Sequence, residues 1–406
     1  MQNRKIVIIT TGFPFGVGEK FLESEIETIS GSFEIDILPM NVNKIKRKLP
    51  RNVKVNIDCR LNKSLIRTLY YFIKALFSMD LIEEIKNRKD KINLRNLKRI
   101  VGYIGRGLEL SDAIEKYYKN EFIKDNIILY SYWFLEGAYA ASILRKKWNC
   151  KVFARAHGVD VWDNVSVYGI VPVRKETLQY ITKVFVCSRE GCDFLKSKHS
   201  VYFDKFEVNY LGTKDYGEKV KTPRMEKFVI ATCARMVPLK RIDLLINALK
   251  LFKVIEIEWY HFGDGPERVN IESMIKTLPS NVKPHLLGNV DHDTLMTFYS
   301  TNTVHLFVNT STTEGLPVSI MEAISFGIPV IATNVGGTKE IVSNYNGFLV
   351  DSNCKTELLA RKIEAIFRMD DEDYLDMCNN SRHIWETKFS GQKNYPEFYK
   401  LMSEGE

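Results

Sequence analysis

The chain has 406 residues, 45% hydrophobic and 27% charged. That balance excludes disordered and fibrous classes, and the length suits two domains of roughly 200 residues. No run of about eighteen apolar residues occurs, so no segment is expected to span a bilayer as a helix. The net charge of +8 is concentrated: 44–106 holds 18 Lys and Arg against 5 Asp and Glu, which leaves the remainder net negative. The seven cysteines form no CxxC pair. They read as small buried hydrophobes of a reducing, cytoplasmic compartment.

The N-terminus, MQNRKIVIITTGFPFG, has the look of a secretory leader. Its apolar run is too short and lacks a small-residue cleavage site, so KIVIIT (5–10) is read as a first strand. Gly12, Gly16 and Gly18 follow it, without the spacing of a dinucleotide fingerprint. Phe21, Leu22, Ile26 and Ile29 share one helical face, and FEIDIL (33–38) is a second strand. Within the basic region, RNVKVNI (51–57) suits a strand, and Leu65, Leu69, Phe72 and Leu76 recur at helical spacing beside cations. Two readings of that helix stay open: a core-facing stripe with a solvated basic face, or docking on an anionic membrane surface. No nucleic-acid module accompanies the charge, so no nucleic-acid partner is expected. Strands then recur at IILYS (127–131), KVFAR (151–155), KVFVC (183–187) and FEVNY (206–210), separated by helical patterns.

The polar stretch 211–227 reads as an interdomain linker. Beyond it the alternation restarts at FVIATCA, and two helical patterns, 355–369 and 371–389, follow the last strand. The expected fold class is α/β: two doubly wound, Rossmann-like domains facing across a cleft.

The most informative stretch is NTSTTEGLPVSIMEAISFGIPVIATNVGGTKEIV (309–342). Pro317 suits a first helical turn and Gly327 an end, which predicts a helix over 317–326. The N–H groups of Gly315, Leu316, Val318 and Ser319 then lie at its positive end, a ready anion site. Glu314 precedes the helix and Glu322 lies within it. Eight residues of helix separate them by about 12 Å, too far for paired hydrolytic carboxylates. They suit two parts of one long ligand. Asp291 and Asp293 form a DxD pattern, but they open a helix after a strand, where aspartate caps; no metal site is expected. Asp264 in HFGDGPER (261–268) is open between a cap and a ligand contact.

The E-x7-E spacing within EGLPVSIMEA, followed by GIPVIATNVGGTKEIV, resembles the retaining nucleotide-sugar glycosyltransferases of family 4, which have the GT-B fold. ARMVPLKRIDLLINAL (234–249) and HFGDGPER (261–268) extend the resemblance in the same order. GEKFLESEI (18–26), SYWFLEGAYAA (131–141) and FARAHGVDVWDN (153–164) are similar to a subgroup that builds bacterial exopolysaccharides, capsules and O-antigens. The resemblance implies transfer of a hexose-type sugar from a UDP- or GDP-sugar to a glycan acceptor carried on a polyprenyl diphosphate, with no cofactor, by a peripheral protein at the inner membrane face. It implies that Glu314 binds donor-sugar hydroxyls and Glu322 the ribose. Arg235 and Lys240 bind the diphosphate, and His157 lies near the transferred sugar. Gly16, Gly18, Gly263, Val290, Gly315, Leu316, Pro317 and Val318 line the donor, with Glu19 and Asp160 as acceptor contacts. The implied division is an acceptor domain over 1–210, the linker 211–227 and a donor domain over 228–390. A last helix, 391–406, returns to the first domain. Two rival readings are a non-catalytic sugar-nucleotide-binding scaffold and a nucleotide-sugar epimerase of similar fold.

Overall fold

The computed structural model describes residues 5–16, 18, 19, 21–44, 47–62, 64–88, 93–118, 127–163, 169–217 and 227–404. The chain divides into two compact units. Unit 1 is Met1–Leu211 with Lys393–Glu406, and unit 2 is Gly212–Gln392.

Unit 1 runs β1 (Lys5–Thr10), α1 (Phe21–Ile29), β2 (Glu34–Pro39), β3 (Val53–Val55), α2 (Leu65–Leu76), α3 (Met79–Asn87), α4 (Leu94–Tyr117), β4 (Ile127–Ser131), α5 (Glu136–Arg145), β5 (Lys151–Ala156), α6 (Gly158–Val161), α7 (Arg174–Tyr180), β6 (Lys183–Val186), α8 (Arg189–Lys198) and β7 (Phe206–Val208). The seven strands form one parallel sheet in the order β3-β2-β1-β4-β5-β6-β7, so the winding reverses between β1 and β4. The period-2 alternation of β1 sends Val7 and Ile9 into one core and Ile6 and Ile8 into the other. Both faces are covered, which is why these strands read as unbroken apolar runs.

The second of these cores is completed from the far end of the sequence. Tyr395, Phe398, Tyr399 and Met402 of the C-terminal helix pack with Ile6, Ile8, Leu22 and Ile26. Burial of such side chains contributes roughly 1.5–3 kcal/mol each. Beneath them lies a fully buried pair, Arg155 and Glu25, 3.5 Å apart. The Tyr399 hydroxyl donates to Glu25 at 3.0 Å, and the Arg155 guanidinium sits 4.2 Å from the Phe398 ring centroid. Burial raises the Glu25 pKa, and the positive charge of Arg155 opposes that rise.

The basic region departs from one of its two readings. The buried residues of α2 are Tyr71 and Ala75, with Phe72 partly buried against α4. Leu65, Leu69 and Leu76, which a core-facing stripe would bury, are exposed. Apolar periodicity marks a stripe without saying which side of the helix is covered. Arg47, one of the cations counted there, is also not a free surface charge: its guanidinium donates to the carbonyls of Gly16 and Gly18 in the loop after β1. Lys46 lies outside the described residues.

Unit 2 runs β8 (Phe228–Cys233), α9 (Ile242–Leu249), β9 (Ile257–Phe262), α10 (Arg268–Ile275), β10 (Val282–Gly288), α11 (His292–Thr301), β11 (Leu306–Asn309), α12 (Val318–Ser325), β12 (Val330–Thr333), α13 (Thr338–Ile341), β13 (Gly347–Val350), α14 (Thr356–Phe367) and α15 (Asp371–Ile384). A π turn, Trp385–Phe389, leads into α16 (Gly391–Glu404). The parallel sheet has the order β10-β9-β8-β11-β12-β13, and the winding reverses between β8 and β11. Its core joins Ile230, Trp259 and Ile331 to Leu245, Leu359 and Ile363.

Of the stretch expected to be a linker, 218–226 lies outside the described residues. The part before it is held within unit 2. The Trp385 indole N–H donates to the Thr213 hydroxyl at 2.7 Å, and Arg382 grips Asp215 at 2.8 Å.

Candidate functional site

In an open parallel sheet, loops leaving neighbouring strands in opposite directions open a crevice where the winding reverses. In unit 2 that point lies beyond the C-terminal ends of β8 and β11, and both ends carry expected site residues. After β8 the chain passes Arg235 and makes a short 3₁₀ turn, Pro238–Lys240. After β11 it passes Asn309 and Ser311 to reach Glu314. Lys240 Nζ and Glu314 Oε1 meet at 2.6 Å. The Ser311 hydroxyl at 2.6 Å and the Asn309 amide at 3.2 Å also donate to that oxygen, so Oε1 is fixed by three donors. Ala234, Lys240, Asn309, Thr310 and Ser311 line a cavity here, and Arg235 is exposed at its strand end.

Helix α12 begins directly after this loop, with Pro317 as its N-cap residue, and ends at Ser325. Gly315, Leu316 and Val318 therefore surround its positive end. The loop is held from below by the turn after β12: Gly337 N–H donates to the Gly315 carbonyl at 2.7 Å. Gly336, with φ +52°, passes so close that a Cβ would lie 1.9 Å from the Glu314 carbonyl oxygen. Gly263 takes φ +132° at the end of β9, where a Cβ would lie 2.0 Å from the Ala234 carbonyl oxygen. Val290 lies between β10 and α11.

Glu322 is buried on α12, and His292 Nε2 donates to its Oε1 at 2.8 Å. The other ring nitrogen, Nδ1, lies 3.2 Å from the Tyr216 hydroxyl. One neutral tautomer serves both contacts: Nε2–H donates to the carboxylate and Nδ1 accepts from tyrosine. Sequence reasoning missed His292, although it stands between the two aspartates of the DxD pattern. Asp291 caps α11, accepting from the Thr294 N–H at 2.8 Å and its hydroxyl at 2.6 Å. Asp264 accepts from the Gly265 N–H and pairs with Arg268 at 3.1 Å. Among the described residues no group of three or more His, Cys, Asp or Glu is placed to hold a metal ion.

In unit 1 the winding reverses between β1 and β4, and Glu19, His157 and Asp160 gather in the loops around that end. Each is held by bonds within the protein. The Glu19 carboxylate accepts the backbone N–H groups of Thr11, Gly12 and Phe13 at 2.7–2.8 Å and the Trp133 indole N–H at 2.7 Å. It fixes the loop bearing Gly16 and Gly18, and these bonds hold Glu19 in a left-handed conformation, φ +54°. Asp160, also expected at the acceptor, is fully buried and accepts from the N–H groups of Phe134 and His157. Arg174 bonds the carbonyls of Phe134 and Asp160 beside it. Burial raises the Asp160 pKa to about 6, against the pull of the backbone N–H donors and Arg174.

His157 is likewise turned inward. Its Nε2 lies 3.1 Å from the Tyr132 carbonyl, which can only accept, so Nε2 carries the proton. Nδ1 then accepts from the Cys187 thiol at 3.5 Å; burial pushes that thiol up to about 12 and keeps it protonated. Burial, helped by the positive charge of Arg155, lowers the His157 pKa to about 3. The ring thus positions the end of β5, its centroid 4.5 Å from that of the Trp133 ring and tilted 46° to it. Because its folded pKa lies below its unfolded one, the neutral ring contributes stability above about pH 6.5 that is lost as pH falls toward 3. In an NMR titration the His157 C–H resonances should stay flat between pH 5 and 8; a midpoint inside that window would show the ring exposed to protonation.

Comparison with known proteins now fits this geometry. Residues 216–384 match the family described as glycosyl transferases group 1. The chain is 36% identical over 127 residues to the UDP-N-acetylglucosamine–peptide N-acetylglucosaminyltransferase GtfA subunit of Streptococcus agalactiae, covering 30% of this chain and 24% of that protein. It is 30% identical over 149 residues to a subunit of the human phosphatidylinositol N-acetylglucosaminyltransferase, covering 36% of this chain and 30% of that one. The chain thus spans less than a third of the length of these two relatives. Among solved structures, sucrose-phosphate synthase of Thermosynechococcus elongatus superposes with a TM-score of 0.70 at 16% identity, covering 99% of this chain and 98% of that one. Anabaena HepE in complex with UDP gives 0.67 at 16%, covering 98% and 100%. The structural likenesses establish the GT-B fold, and the match to glycosyl transferases group 1 lies within unit 2.

Proposed function

We propose that the protein is a retaining hexosyltransferase that takes a sugar from a UDP- or GDP-sugar and adds it to a glycan on a lipid carrier. The pathway would be that of a surface polysaccharide, at the inner face of the membrane. The observation that carries this reading is the Lys240–Glu314 pair at the reversal point of unit 2, at the foot of α12. Breaking the bond between the sugar and the diphosphate leaves negative charge on phosphate oxygen. Lys240, held by Glu314, the exposed Arg235 and the positive end of α12 are the positive groups that stabilise that charge as it develops. Glu314, with one oxygen held by three donors, presents its carboxylate to sugar hydroxyls, and Glu322 takes the ribose. No side chain is positioned as a nucleophile in this scheme. The acceptor oxygen attacks the face the diphosphate leaves, its proton passes to the departing phosphate, and the acceptor side is assigned to unit 1. Anabaena HepE is described in complex with UDP-glucose, which supports a uridine nucleotide as the first donor to try.

The test is a transfer assay with a panel of UDP- and GDP-sugars, a glycan acceptor and excess EDTA. Free nucleoside diphosphate should appear together with a glycosylated product of retained anomeric configuration, at a rate the chelator leaves unchanged. A loss of activity restored by magnesium or manganese would return the metal role to Asp291 and Asp293. Binding of donor with no transfer would favour a scaffold, and formation of an epimeric donor would favour an epimerase.

A further inference from the structure

Helix α2 is apolar on two opposite sides. At about 100° per residue, Tyr71 and Ala75 face α4 and are buried, whereas Leu65, Ile66, Leu69, Ile73, Leu76 and Phe77 spread over the other side. These six are exposed, Leu65 to 86% and Ile66 and Phe77 to 82% each. A helix that is apolar nearly all round is normally covered on both sides. A contiguous exposed patch of this kind marks an interaction surface.

The charges around the patch select its partner. Helix α2 carries Arg67 and Lys74 on one flank and no acid. Arg67 is anchored to Glu109 at 2.8 Å and Lys74 to Asp112 at 2.6 Å, yet both side chains remain more than a third exposed. The acids of the next helix are engaged: Glu83 with Lys86, Glu84 with Arg88, and Asp80 with the Tyr139 hydroxyl. A second copy of the chain laid on this face by two-fold symmetry would set its cations against the same cations. An anionic lipid surface meets both features, accepting the apolar side chains below its headgroups and the cations among them. We infer that the outer face of α2 inserts into an anionic bilayer and docks the protein on the membrane. This rests on the proposed function in that it gives a lipid-borne acceptor its meeting surface.

Co-sedimentation with vesicles tests it without requiring catalysis, so a failed transfer assay and a failed docking assay are separable. Phosphatidylcholine vesicles containing roughly a third phosphatidylglycerol should retain the protein at least about tenfold better than phosphatidylcholine alone. The triple variant I66S/I73S/F77S removes exposed side chains only. It should keep the parent circular dichroism and its transfer to a soluble acceptor while losing vesicle binding about tenfold or more. Leu69→Glu should act in the same direction. Equal sedimentation of variant and parent, or equal binding to neutral and anionic vesicles, would overturn the inference. So would a parent that elutes as a dimer and a variant that elutes as a monomer, which would assign the face to a second copy.

Discussion

Lys240→Ala should lower kcat by about 10²–10³-fold, the range seen when a fixed group that stabilises developing charge is removed. The substitution removes the ammonium held 2.6 Å from Glu314 and leaves that carboxylate, largely buried, with only the neutral donors Ser311 and Asn309. Both effects act where charge changes during cleavage. Arg235→Ala should act in the same direction. Glu322→Ala should behave differently: a ribose contact is the same before and during reaction, so its loss should raise the donor KM with kcat nearly intact. Steady-state kinetics with varied donor separates the two patterns. Unchanged turnover in both Lys240→Ala and Arg235→Ala would remove the diphosphate from this end of the sheet.

Gly336→Ala should destabilise unit 2 by about 2–3 kcal/mol and weaken activity even where the protein stays folded. The added carbon would lie 1.9 Å from the Glu314 carbonyl oxygen and 2.9 Å from its carbonyl carbon, at a backbone φ of +52°. Because the obstacle is backbone, no rotamer change relieves it, and the Glu314 loop must move. For a unit of this size the loss corresponds to a fall in Tm of roughly 5–10 °C. Gly31→Ala is the control, since a Cβ there meets nothing within 4 Å; its Tm should stay within about a degree or two of the parent. Calorimetry of both variants checks the contrast, and a Gly336→Ala protein as stable as the control would show that the loop yields at no cost.

The alternation of apolar strands with helical patterns was enough to read two doubly wound sheets, because buried parallel strands must be apolar on both sides. The capping role of Asp291 was also legible, since it depends on local spacing at a helix start. Three matters were not. Glu19 and Asp160 look in sequence like ligand carboxylates, and only the fold shows that donors distant in sequence engage them, the Trp133 indole for Glu19 and the Phe134 backbone N–H for Asp160. His157 follows a strand as a site histidine does, but its partners Tyr132 and Cys187 come from other strand ends. His292 escaped notice because its partner Glu322 is 30 positions away. In each case the deciding contact is long-range.

The return of α16 into unit 1 has a consequence for how the protein is made. Unit 1 is interrupted by the whole of Gly212–Gln392 before Lys393 rejoins it. At typical elongation rates of about 5–20 residues per second, that interval lasts on the order of ten to forty seconds. During it the pocket for Phe398 and Tyr399 stands open, and the Glu25–Arg155 pair is without its aromatic cover. Unit 2 can finish folding while unit 1 still waits, so the first half to be synthesised is the last to be sealed.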